Sequence, residues 1–120
     1  MSEPIDIVKT RIRHDLRQAM LARNRAEAGV LRTLLAALDN AEAVPVGREH
    51  ERYVERAFGD PAAEVPRLSL TAEAVEAVLA AERTERLVVA ERLAQSGRDD
   101  DAARLRAEAD IVARYGRQAP

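Results

Sequence analysis

Apolar residues recur along this chain at three- and four-residue intervals, and four such runs predict four helices. In the first, Ile5, Val8, Ile12, Leu16, Ala19 and Met20 form one stripe, and Pro4 suits a first helical position, so a helix is predicted over residues 4–23. Arg11, Arg13, His14 and Arg17 lie mainly off that stripe, and Lys9, the sole lysine, is expected to be exposed. Asn24 marks a junction, either as a cap or as a short turn. The second run, Val30, Leu31, Leu34, Leu35 and Leu38, is the broadest apolar face in the chain and predicts a helix over 25–42. Gly29 within it either costs helix stability or marks close packing. So short a junction implies an antiparallel hairpin.

The pattern then breaks. Residues 44–70 hold three of the five prolines and two of the five glycines, and read as an irregular linker. A short helix near 48–58 is predicted inside it, with Tyr53, Val54, Ala57 and Phe58 as its sticky side, ended by Gly59-Asp60-Pro61. Helical spacing resumes after Thr71, an N-cap residue, with Leu70 and Val75 as a hydrophobic staple. This third helix is predicted over 71–96 and is stopped by Gly97. Its stripe, Val75, Val78, Leu79, Leu87, Val88, Val89 and Leu93, is interrupted by ERTER at 82–86. A fourth helix over 99–115 buries Leu105, Ala109 and Val112. No segment alternates convincingly with the period of a strand. The fold class expected is all-α, a single domain over 1–120. It comprises a helix hairpin (1–43), a linker (44–70), a long helix and a shorter C-terminal helix (71–116).

Composition refines this picture. Apolar residues make up 47% of the 120-residue chain but aromatic residues only 2%, so the core must be built from Leu, Val, Ile and Ala. There is no cysteine, which excludes disulfides, thiolate metal ligands and a cysteine nucleophile and fits a cytoplasmic protein. No run approaches the roughly 20 apolar residues that span a membrane, and the first residues are too polar for a secretory signal. Net charge is −2, too little to draw in nucleic acid by a global field. It is unevenly spread: residues 1–37 carry seven basic and four acidic side chains, and residues 39–70 four basic and seven acidic. A modest basic face on the first two helices follows.

Candidate chemistry is sparse. Asp99, Asp100 and Asp101 resemble a metal cluster, but consecutive residues entering a helix splay apart, and acids there interact favourably with the helix dipole. His14 and His50 belong to no metal or catalytic motif. Ser2, Ser69 and Ser96 have no base in view, and no Gly-rich phosphate loop is present. No catalytic residue, metal or cofactor is therefore expected. Glu82 and Arg86 are spaced to pair along the third helix, and ERTER reads as a solvated stretch where that helix extends past the core. Alternatively, Arg83 and Arg86 form a contact surface for an acidic partner or RNA phosphate.

The stretches LRQAMLARNRAEAGVLR (16–32), VLRTLLAALDNAE (30–42) and ERTERLVVAERLAQSGRDDDAARLRAEADIVARY (82–115) together resemble GatB/YqeY-type proteins. In that pattern a long charged helix ends at a Gly-Arg turn, and an acid-started helix runs into a Tyr. The likeness covers most of the chain outside 44–70, which is long for the family. It implies a YqeY-like helical bundle related to the tail of the amidotransferase B subunit, which acts on tRNA with glutamine as amido donor. The family label carries carbon–nitrogen ligase activity, although the catalytic parts of that machine have no counterpart here. Members commonly continue past the Tyr with a Leu-Pro and a small second helical domain, the part most closely linked to tRNA, whereas GRQAP follows Tyr115 here. The function expected is a non-catalytic accessory module acting through helix surfaces, with Arg32, Arg83 and Arg86 as candidate binding residues and a protein partner or tRNA as what they hold. The alternative is a self-associating structural bundle, using Leu87, Val88 or Phe58 as its apolar patch.

Overall fold

The computed structural model describes residues 3–43 and 70–116. They form four helices: α1 (Pro4–Leu21), α2 (Arg25–Ala43), α3 (Ala72–Gln95) and α4 (Asp99–Ala113), with no strand among the described residues. The all-α expectation holds. The linker expectations, including the short helix and Phe58, together with His50, Ser2 and Ser69, lie outside the described residues.

The helices are paired as two hairpins, α1 with α2 and α3 with α4, and α2 also touches both helices of the second pair. The reason is the apolar ridge of α2. Leu31, Leu34 and Leu38 are fully buried, and Ile5 and Ile12 of α1, Val75 and Leu79 of α3, and Val112 of α4 pack into the same cluster. Each large aliphatic side chain removed from water contributes roughly 1.5–3 kcal/mol, so this ridge holds the hairpins together. Thr71 caps α3 as expected, its Oγ1 accepting from the Ala74 amide at 3.0 Å, while Leu70 packs against the core. Beyond residue 82 the support changes. Val88 and Val89 are exposed, and the buried contacts are made by Ala90 of α3 and Ala102 and Ala109 of α4, all outside the main cluster. Small side chains let the backbones of the two helices run close together there.

Both hairpins turn by the same device. At the first, the Arg23 amide donates to Met20 O (3.1 Å) and the Asn24 amide to Ala19 O (2.8 Å). At the second, the Gly97 amide donates to Ala94 O (3.0 Å) and the Arg98 amide to Leu93 O (2.8 Å). This paired bonding satisfies the last carbonyls of a helix and needs one residue in the left-handed region. Gly97 supplies it at φ 79° and Arg23 at φ 58°. The next helix then begins at once, and Asn24 Oδ1 caps α2 by accepting from the Glu27 amide (3.1 Å).

Three expectations are corrected. Met20 does not join the core stripe but is half exposed, because the turn that follows carries it past the end of the ridge. Gly29 does not mark close packing, since a Cβ added there meets nothing within 4 Å. Lys9 is not exposed: only 4% of its surface reaches solvent. It falls between Ile5 and Ile12, in register with them, and so faces inward.

The two junctions should respond oppositely to substitution. Arg23→Gly removes the penalty of a side chain in the left-handed region, and urea unfolding should show a gain of about 1 kcal/mol. Gly97→Ala should lose about the same. Gly29→Ala, in open space on a helix, should gain roughly 0.5–1 kcal/mol.

Candidate functional site

Three clusters of charged groups stand out, and two of them are internal. In the first, the Lys9 ammonium donates to Asp39 Oδ1 (2.5 Å) and to Glu42 Oε1, joining the start of α1 to the end of α2. The Glu42 side chain is nearly as enclosed as that of Lys9, while that of Asp39 is half exposed. Burial alone would disfavour the charged lysine, but the hydrogen bonds and charges of Asp39 and Glu42 outweigh it, and its pKa stands above the ordinary 10.5.

In the second, Tyr115 follows α4, is buried, and donates through its hydroxyl to Asp15 Oδ2 (2.5 Å) on α1. The Arg11 guanidinium lies over the ring, 5.3 Å from its centre, and also donates to Arg114 O (3.3 Å). Arg114 pairs with Glu27 of α2. Burial, then the bond to Asp15, holds the Tyr115 phenol well above its usual range. These contacts lash the end of α4 to the first hairpin.

The sequence-derived candidates do not come together. Arg86 is not solvated, as a helix extending past the core would leave it, but largely enclosed, because α4 packs alongside: it donates to Glu82 Oε1 (3.1 Å) and Glu82 O (3.0 Å) on its own helix and to Glu108 Oε1 (3.3 Å) on α4. It acts as a clamp between α3 and α4. Arg83 is exposed on the rim of an open depression with Leu79, Ala80 and Val112. Arg32 lies elsewhere, beside the first hairpin turn. Asp101 pairs with Arg98 (2.6 Å) and Arg104 (3.5 Å), and the three aspartates stand in the first turn of α4. Among the described residues no three His, Asp or Glu side chains are placed to hold a metal ion. No helix among them is long and apolar enough to cross a membrane.

The third cluster forms around Arg32. With Arg23, Arg25, Asn24, Ala19, Met20 and Ala28 it lines an open depression of about 500 Å³ at the α1–α2 turn. None of the three guanidiniums has a carboxylate partner among the described residues. The nearby acids are engaged elsewhere, Glu27 with Arg114 and Asp15 with Tyr115. The depression opens between the end of one helix and the first turn of the next, and the buried Ala19 and Ala28 are among the residues that line it. Such an arrangement can bind anionic groups but offers no nucleophile or proton-transfer pair. Arg23 and Arg25 were not singled out from sequence, although two arginines flanking a helix junction, with Arg32 two turns further on, carry the signal.

Lys9 and Tyr115 both hold their protons more tightly when folded than when unfolded. Their contribution is complete below about pH 10 and is lost as pH rises through the folded values. The thermal midpoint should therefore fall above about pH 10, and the Lys9→Met/Tyr115→Phe variant should show a shallower fall. Lys9→Ala should cost roughly 3 kcal/mol by leaving Glu42 buried without its cation, and adding Glu42→Leu should recover much of that, as read by a double-mutant cycle in urea. The chain matches no protein-family model and no curated protein, so its function is read from the geometry of the site.

Proposed function

We propose that this chain is a non-catalytic interaction module of the GatB/YqeY kind, an accessory to tRNA-dependent amidotransferase systems, which holds a macromolecular partner on its helix surfaces. The observation that carries the reading is the group of three arginines at the α1–α2 turn. Among the described residues, Lys9, Arg86 and Arg114 are matched by carboxylates within the fold, whereas Arg13, Arg17, Arg83 and Arg92 are unmatched but do not line the depression at that turn. Arg23, Arg25 and Arg32 are unmatched and share that one depression. Concentrated charge without internal compensation is a binding surface in want of a counter-charge. The described groups with shifted pKa values, Lys9, Arg114 and Tyr115, are held by carboxylates in structural contacts, which favours a binding role over a catalytic one.

A second reading rests on Val88 and Val89, exposed on α3: the chain pairs with itself through this helix. Light scattering separates the two, since a monomer at high concentration removes self-association.

The amidotransferase link is tested by biolayer interferometry, with the immobilised chain exposed in turn to a purified tRNA-dependent amidotransferase and to tRNA. Salt-sensitive binding to either is expected, reduced roughly tenfold in the Arg25→Glu/Arg32→Glu variant. Absence of binding to both at low salt would remove the link.

A further inference from the structure

We infer that the depression at the α1–α2 turn takes an acidic, amphipathic helix of a partner protein, and that Arg23 occupies its turn in order to contact it. The inference rests on the reading of the chain as an interaction module and names the partner's chemistry.

The two hairpin turns make the comparison within one molecule. Both use the same pair of backbone bonds, and both need one residue at positive φ. The second turn uses glycine, the residue that this conformation favours; the first uses arginine. The turn itself asks for no side chain at position 23, and Arg23 makes no side-chain hydrogen bond or ion pair among the described residues. A costly residue with no structural work, placed on the rim of a basic depression, marks strain kept for a function.

The other lining residues describe the occupant. Arg25 and Arg32 are seven residues apart, two turns of α2, so their backbones are separated by about 10 Å along one face. Carboxylates two turns apart on a partner helix have the same spacing. Ala19, Met20 and Ala28 lie between the charges, and Met20 is 53% exposed, a flexible apolar contact that adapts to varied side chains. Leu21, beside it, is 80% exposed. Arginines around an exposed methionine match a helix that carries acids on its flanks and an apolar residue on its face. A phosphate backbone would leave Met20 uncovered, and the lining holds no aromatic ring on which a base could stack.

The test uses fluorescence anisotropy with a fluorescein-labelled, helix-forming 16-residue peptide. It carries two glutamates seven residues apart with leucines between them; a scrambled peptide and a single-stranded RNA of 12 nucleotides are the comparisons. The ordered peptide should bind more tightly than the scrambled one and weaken with salt. Arg23→Gly should raise the thermal midpoint and yet weaken peptide binding roughly tenfold, and Arg25→Ala and Arg32→Ala should weaken it with the fold intact. If Arg23→Gly binds like the wild-type chain, Arg23 has no part in recognition. RNA binding without peptide binding, or no binding by any probe, overturns the inferred partner. Peptide binding by a chain that ignores the amidotransferase and tRNA overturns the amidotransferase link and leaves this inference standing.

Discussion

Everything in this protein depends on the leucine ridge of α2. A chain with so few aromatic residues has no large ring around which to organise a core. Leu31, Leu34 and Leu38 supply the only continuous run of fully buried large side chains on one described helix, and residues from the other three helices meet on it. Remove that ridge and each hairpin is a pair of helices with nothing to dock against, since short helices are marginal in water without tertiary packing. The polar contacts refine this arrangement. Lys9 bridges the open end of the first hairpin, and Tyr115 fixes the end of α4 against α1.

Buried charge bears on specificity here as well as on stability. The Asp39 and Glu42 carboxylates outweigh the desolvation of the Lys9 ammonium, but they do so only when both are in place. Lys9 thus accepts only one register of α1 on α2. A slip along the hairpin would leave Glu42 facing apolar side chains without a cation, a state far costlier than the native one. Arg86 does the same between α3 and α4, where the alanine contacts are too smooth to choose a register themselves.

Much of the fold was legible in the sequence because helical periodicity and capping residues act locally. Thr71, Gly97 and the leucine stripe of α2 each did in the structure what the pattern predicts. The misreadings came from judging residues by type instead of position. Lys9 shares the spacing of Ile5 and Ile12, but a lysine there reads as exposed unless its two partners, thirty residues on, are known. Met20 has the spacing of a core residue and lies one turn too late. The site was only partly legible. The spacing of Arg23, Arg25 and Arg32 around a helix junction is visible in the sequence, but the left-handed backbone of Arg23 and the lack of a carboxylate partner for all three among the described residues are not.

The bond from Tyr115 to Asp15 joins residues one hundred positions apart. Each hairpin, by contrast, is closed by neighbours in the chain. Local contacts form quickly and distant ones must wait for the intervening chain to be brought together. The Tyr115 contact is therefore expected to form later than the local contacts within each hairpin. Its strength is expected to govern how fast the finished protein comes apart more than how fast it forms.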